Sequence, residues 1–123
     1  MHPAQTILLV DDDEFQLALL DTQLATLGYC DVILARGGDE ALAQFERFGP
    51  QIGVIISDLS MPDMDGLALA HHIRDEKGAP AKLVMVTGEN VHASRYRYAL
   101  GDFDAIIEKP ATFALFGEVL ADL

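Results

Sequence analysis

The sequence of 123 residues contains a single cysteine, Cys30, so no disulfide can form within the chain. It contains no apolar run that approaches the roughly 20 residues needed to span a bilayer. Residues 1–5 also lack the basic start and the long apolar region of a signal peptide. From these absences we expect a cytoplasmic protein that does not bind a membrane.

Basic side chains are scarce as well. Eight lysines and arginines stand against 20 aspartates and glutamates, and the formal net charge is −12. Since proteins contact nucleic-acid phosphates mainly through Lys and Arg, this balance argues against direct nucleic-acid binding. Apolar residues, by contrast, make up half of the chain, which is enough for a real core. The length fits one domain, which we expect to span residues 1–123.

Short apolar runs alternate with helical patterns along the whole chain. In the first helical pattern the apolar positions are Phe15, Leu19, Leu20, Leu24 and Leu27. The runs that predict strands are 7–10, 31–35, 52–57, 82–86 and 103–107. Helices are predicted over 15–27, 41–48, 67–73, 90–100 and 112–123.

This alternation predicts an α/β fold made of five βα units, in which a doubly wound, five-stranded parallel sheet is covered by helices on both faces. Ligands of such sheets bind beyond the carboxyl ends of the strands. Polar residues stand at that end of four predicted strands, and the fold should bring them to one edge: Asp11, Asp12, Asp58, Thr87 and Lys109.

Three carboxylates in one cleft repel each other, so either one is protonated or a cation joins them. The ligand set at this edge is all oxygen, which suits Mg²⁺. A carboxylate can attack phosphorus, while Lys109 and Thr87 can contact phosphoryl oxygens. The plainer alternative is that Asp11 to Asp13 only cap the first helix, a common use of aspartate.

Five short motifs follow one another along almost the whole chain. They are Asp11-Asp12, Asp58 with Met61-Pro62, Met64-Asp65-Gly66, Thr87, and Lys109-Pro110. In this order and spacing they resemble the receiver domain of two-component response regulators, whose simplest relative is the single-domain chemotaxis regulator. The resemblance implies a flavodoxin-like sheet with strand order 2-1-3-4-5.

The resemblance also implies a phospho-acceptor and a metal site. Asp58 would accept a phosphoryl group from a sensor histidine kinase or a phosphotransfer protein. Asp12 and Asp58 would bind Mg²⁺ directly, Asp11 would act mainly through water, and the backbone carbonyl of Ser60 would complete the protein ligands. A domain of this kind is not an enzyme, because it promotes only its own phosphorylation and dephosphorylation.

Thr87 and Lys109 would contact the phosphoryl group in such a domain. The fourth helix, fifth strand and fifth helix would form the face that contacts a second copy of the chain or a downstream effector domain. Residues 95–98, Arg-Tyr-Arg-Tyr, fall on that fourth helix and have the composition of an interface, although an ordinary amphipathic helix would also contain them. Ile106 departs from the family, because many receivers have Tyr or Phe three residues before the lysine.

Two other functions stay open. One is a pseudo-receiver, a scaffold that binds a partner without phosphorylation, which the departure at Ile106 would allow. The other is a Mg²⁺-dependent aspartyl phosphatase of the haloacid-dehalogenase type, in which Asp11 would be the nucleophile and Asp13 the acid. Replacing Asp58 by Asn separates the phosphatase from the receiver, because only the receiver would lose its phosphorylation.

Overall fold

Strands and helices alternate, as the sequence predicts, through the described residues up to the fourth strand and again after the fifth. The structure is a computed structural model that describes residues 5–59, 61–76, 81–88, 103–109 and 113–123. A 3₁₀ turn over Gly49–Gln51 precedes the third strand, and a π turn over His72–Glu76 extends the third helix. The other elements are β1 (Thr6–Val10), α1 (Glu14–Thr26), β2 (Val32–Ala35), α2 (Gly38–Phe48), β3 (Ile52–Asp58), α3 (Gly66–His71), β4 (Lys82–Thr87), β5 (Ala105–Glu108) and α4 (Phe113–Ala121).

The five strands form one parallel sheet in the order β2-β1-β3-β4-β5, which confirms the predicted architecture. The central strand is β3, which pairs with β1 on one side and with β4 on the other, and Val10 of β1 lies opposite Ser57 of β3. Because the strands are parallel, all their carboxyl ends lie at one edge of the sheet. We call this the carboxyl edge, and the opposite one the amino edge.

The core consists of two layers, one on each face of the sheet. All five residues of β1 are buried. Successive residues of a strand point to opposite faces, so Ile7 and Leu9 pack with α1 and α4, while Leu8 and Val10 pack with α2 and α3. Burial on both faces explains why the central strands are continuous apolar runs in the sequence.

The first predicted helix is confirmed, but only part of its apolar pattern is buried. The buried side of α1 consists of Leu17, Leu20 and Leu24, whereas Phe15 is 75% exposed and Leu19 is 44% exposed. Each helical residue advances by about 100°, so a residue two positions from Leu17 points about 200° away from it. The helix contains more apolar residues than its inward face can bury.

Several predicted features lie outside the described residues. They are the helix over 90–100 with its Arg-Tyr-Arg-Tyr segment, Ser60, Pro110 and the helix start at Thr112. None of the helices within the described ranges has the length and apolar character that crossing a bilayer requires. The last predicted helix is α4 of the structure.

Candidate functional site

The carboxyl edge brings together residues from four strands. Asp58 is the last residue of β3, and Asp11 directly follows β1, its neighbour in the sheet. Thr87 ends β4, which pairs with β3, and Lys109 directly follows β5, which pairs with β4. The side chains scattered through the sequence therefore converge at the edge where the sequence predicts them.

Three acids form a cluster at this edge. Asp11, Asp12 and Asp58 can each offer a carboxylate oxygen so that the three oxygens lie within 4.8 Å of one another. The side chain of Asp11 is only 2% exposed and that of Asp58 is 15% exposed, whereas Asp12 is open to solvent. The cluster is thus buried on one side and reachable from the other.

The three consecutive aspartates after β1 have two different roles. Asp13 is the N-cap of α1, and its Oδ1 accepts hydrogen bonds from the backbone N–H of Phe15 at 2.9 Å and of Gln16 at 3.3 Å. Asp11 Oδ1 accepts the N–H of Asp13 at 3.0 Å. Helix capping therefore accounts for Asp13 but not for the cluster of Asp11 with Asp12. It also occupies the residue that an aspartyl phosphatase would use as its acid.

Lys109 lies between the two buried carboxylates. Its Nζ is 3.6 Å from Asp58 Oδ1 and 3.7 Å from Asp11 Oδ2. These distances are long for charge-assisted hydrogen bonds, so the ammonium group balances both acids without binding either one tightly. The backbone N–H of Lys109 donates to the carbonyl of Thr87 at 2.7 Å, which holds the lysine beside the end of β4.

The two buried carboxylates are only partly compensated. Burial raises the pKa of Asp58, and Lys109 and the N–H of Leu59 oppose that rise. Burial also raises the pKa of Asp11, against the hydrogen bond from the N–H of Asp13. Because charge in a buried site is stabilised by opposite charge, this edge favours a further cation.

The loop after Asp58 has a tight and specific shape. Leu59 donates its N–H to Asp58 Oδ1 at 2.8 Å, and its carbonyl accepts the N–H of Gly66 at 2.7 Å. A Cβ at Gly66 would lie 2.5 Å from the carbonyl oxygen of Asp58, so only glycine fits there. Sequence reasoning assigned no role to the N–H of Leu59, but the Met64-Asp65-Gly66 motif already marked the glycine.

Ile106 lies in β5, where it pairs with Met85 of β4. It is partly buried and packs against the small cluster of Leu59 and Met85, as Phe103 also does. The residue that replaces the usual aromatic therefore packs against a cluster that includes Leu59, the residue after Asp58.

Comparison with models of known families matches residues 7–120 to the response regulator receiver domain. The chain belongs to this family. The receiver domain is 37% identical over 83 residues to the probable transcriptional regulator ycf27 of Porphyridium aerugineum, a match that covers 68% of the chain. It is 34% identical over 116 residues, or 94% of the chain, to the sensor histidine kinase RcsC of Salmonella typhimurium.

Among solved structures, the receiver domain is similar to the response regulator protein TrrA of Thermotoga maritima, crystallised with Mg²⁺ and BeF. The TM-score is 0.81 at 31% identity, and the match covers 96% of this chain and 97% of that one. The receiver domain spans 32% of the length of the ycf27 regulator and 12% of RcsC. The likeness to these two longer proteins therefore concerns only the segment of each that the match covers.

Proposed function

We propose that this receiver domain accepts a phosphoryl group on Asp58 from a phosphorylated histidine of a sensor kinase or a phosphotransfer protein, with Mg²⁺ bound beside it. The observation that carries the proposal is the cluster of Asp11, Asp12 and Asp58, with Lys109 3.6 Å from the acceptor carboxylate. In this role the domain is not an enzyme, since it changes only its own phosphorylation, and we expect it to act in the cytoplasm.

The acidic cluster fits Mg²⁺ in chemistry and in charge. Its donors are carboxylate oxygens, which Mg²⁺ prefers, and Lys109 lies near two of the three acids, Asp11 and Asp58. Asp12 and Asp58 would bind the ion directly, Asp11 would bind its waters, and the carbonyl of Ser60, outside the described residues, would add a ligand. When bound, Mg²⁺ neutralises charge on the carboxylates and on the oxygens of the transferred group.

Asp58 would act as the nucleophile. The N–H of Leu59 holds Oδ1 and so fixes the plane of the carboxylate. A carboxylate oxygen attacks phosphorus, the new O–P bond forms, the P–N bond to the donor imidazole breaks, and the imidazole recovers a proton from solvent. Lys109 and the hydroxyl of Thr87 would each contact one phosphoryl oxygen, which places positive charge and a donor where negative charge is carried.

The structural change that follows phosphorylation of Asp58 would be transmitted through β5 and its neighbours. The packing of Ile106 against the cluster of Met85 and Leu59, the residue after Asp58, supports such a route. Ile106 has no aromatic ring whose rotation could report phosphorylation. The response to phosphorylation would therefore be a shift in packing between two pre-existing states of the domain. The output would be a changed contact with a second copy of the chain or with a downstream effector, through the face formed by the fourth predicted helix, β5 and α4.

The test is phosphorylation with a small phosphodonor, acetyl phosphate, in the presence of Mg²⁺, followed by intact mass and by mapping of the modified residue. Wild type should gain one phosphoryl group that alkali or hydroxylamine removes, as expected for an acyl phosphate, and Asp58→Asn should gain none. Asp31→Asn removes a carboxylate at the amino edge and is the matched control, which should be labelled like wild type.

Two outcomes would contradict the proposal. Labelling that persists in Asp58→Asn and is lost in Asp11→Asn would support the phosphatase alternative. If wild type takes up neither phosphate nor beryllofluoride with Mg²⁺, the domain is a pseudo-receiver, and Asp58 is not an acceptor.

A further inference from the structure

The N-terminus of α2 lacks a local cap. A helix begins with backbone N–H groups that have no partner inside the helix, and a Ser, Thr, Asp or Asn at the N-cap usually accepts one of them. The N-cap of α2 is Gly37, which has no side chain to do so. These N–H groups therefore need another acceptor, either water or a side chain from elsewhere in the fold.

Asp63, in the loop after the acceptor strand, supplies that partner. Its Oδ2 accepts the N–H of Asp39 at 2.9 Å, and its Oδ1 accepts the N–H of Gly38 at 3.3 Å. The cap reaches across 24 residues of sequence. These hydrogen bonds, that of Asp39 first, hold the pKa of the Asp63 carboxyl below its usual value, as expected for an anion at a helix N-terminus.

The two glycines at the start of α2 make room for this contact. A Cβ on Gly37 would lie 2.8 Å from Asp63 Oδ1, and a Cβ on Gly38 would lie 2.5 Å from the Cβ of Met64. Side chains at either position would push the loop away from the helix. Met64 itself packs against the core layer that contains α2, so the helix and the loop are joined by an apolar contact as well as a polar one.

The same loop connects the acceptor to α3. It leaves Asp58, is closed by the hydrogen bond from Gly66 N to the Leu59 carbonyl, and contributes the buried Met61 to the core. At its far end Asp65 caps α3 by accepting the N–H of Ala68 at 2.8 Å. Asp63 is therefore the point at which the middle of the acceptor loop is fixed to the neighbouring α2.

We propose that Asp63 is a positioning residue of the phospho-acceptor site, which caps α2 across the fold and thereby fixes the acceptor loop in the shape that binds Mg²⁺. This inference rests on the proposed function and assigns it a residue outside the metal cluster. A partner that orients a metal site typically changes metal affinity by about 10- to 100-fold, and a residue acting through a loop falls at the low end.

The test compares Mg²⁺ affinity, from amide chemical-shift titration of the full chain, with hydrogen exchange of the α2 amides. Asp63→Ala should weaken Mg²⁺ binding about tenfold and speed exchange at Gly38 and Asp39. Asp63→Asn keeps an acceptor oxygen for one of the two N–H groups and should lose less affinity than the alanine variant does. It also allows the measurement if the alanine variant does not fold.

The matched control is Asp31→Ala. It removes the same charge and a tertiary hydrogen bond, from the Thr6 hydroxyl at 2.6 Å, but at the amino edge. Its Mg²⁺ affinity should equal that of wild type. If Asp63→Ala and Asp63→Asn also bind Mg²⁺ as wild type does, while the α2 amides exchange faster, Asp63 is only a helix cap and the proposal is overturned. Wild type that binds no Mg²⁺ would instead refute the proposed function itself.

Discussion

The two edges of the sheet use aspartate in opposite ways. At the amino edge, Asp104 Oδ2 accepts hydrogen bonds from Arg74 Nη2 at 2.6 Å and from the backbone N–H of Leu83 at 2.8 Å. At the carboxyl edge, Asp11 and Asp58 share Lys109 at 3.6 to 3.7 Å, and burial raises the pKa of both. The first arrangement satisfies its charge within the fold, and the second leaves charge for a ligand to neutralise.

The two arrangements differ in their effect on the stability of the fold as well as in their geometry. Carboxylates with close donors stabilise a fold, whereas clustered carboxylates with distant counter-charge destabilise it. Sites that bind ions often store such unfavourable charge, because the ion then stabilises the folded state on binding. Removing the charge of an aspartate of the acidic cluster should therefore raise stability, whereas removing Asp104 should lower it.

The largest change should follow loss of Asp104. Asp104→Ala removes the partner of Arg74 and of the Leu83 N–H, and we expect the free energy of unfolding to fall by about 2 kcal/mol in urea denaturation. Lys82→Ala is the control, since Lys82 Nζ is 3.9 Å from Asp104 and its side chain is half exposed. A loss as large in Lys82→Ala would mean that general charge balance, and not the close hydrogen bonds, stabilises this edge.

Mg²⁺ should give the next largest effect, and only at the carboxyl edge. At ten times its dissociation constant, a ligand specific to the folded state adds about 1.4 kcal/mol to the free energy of unfolding. We expect this gain in wild type and in Asp104→Ala, and its loss in Asp12→Ala, all measured by denaturation with and without the ion. An equal gain in Asp12→Ala would place the ion outside the acidic cluster.

Asp58→Asn should stabilise the domain in the absence of Mg²⁺. Burial raises the pKa of Asp58 above its ordinary value of 3.8, so the folded domain holds this proton more tightly than the unfolded chain does. The ionised carboxylate then costs stability at neutral pH, and that cost disappears as the pH falls below 3.8. Since Asn imitates the neutral acid, the variant should gain on the order of 1 kcal/mol at pH 7 and nothing in strong acid.

Urea denaturation of both proteins at the two pH values provides the measurement. A destabilised Asp58→Asn at neutral pH would show that Lys109 compensates the acceptor fully. In that case the two edges would not differ in the way their contacts indicate.

The fold and the set of residues at the carboxyl edge could both be predicted from the sequence alone. Strands buried on both faces are continuous apolar runs, and the rule that parallel strands end at one edge brings Asp11, Asp12, Asp58, Thr87 and Lys109 together without any coordinates. The roles proposed for these residues, and for Ser60, stay predictions until phosphorylation and Mg²⁺ binding are measured.

What could not be predicted depended on contacts between distant segments. Phe15 and Leu19 were expected in the apolar stripe of the first helix and are exposed, because the face that packs inward is chosen by the neighbouring elements. Asp63 shows no local sign of its cap on α2, since its partners are 24 and 25 residues away. The missing N-cap side chain at Gly37 was a usable signal, although it cannot say which acid replaces it.

The smallest effect should come from an ion pair near the carboxyl edge whose charged atoms lie as close together as those of Arg74 and Asp104 at the amino edge. Arg36 and Glu14 lie 2.5 Å apart, but their side chains are 65% and 66% exposed. Water and salt screen such a pair, and holding two long side chains together costs entropy, so Arg36→Ala should change the free energy of unfolding by at most about 0.5 kcal/mol. Arg74→Ala is the comparison, since its partner Asp104 is less exposed and also accepts a backbone N–H. The two variants together test whether the ion-pair distance or the burial of the pair determines the loss of stability. If both substitutions destabilise the domain equally, a short ion-pair distance alone determines the stabilisation, and the contrast between the edges must be drawn from distance rather than from burial.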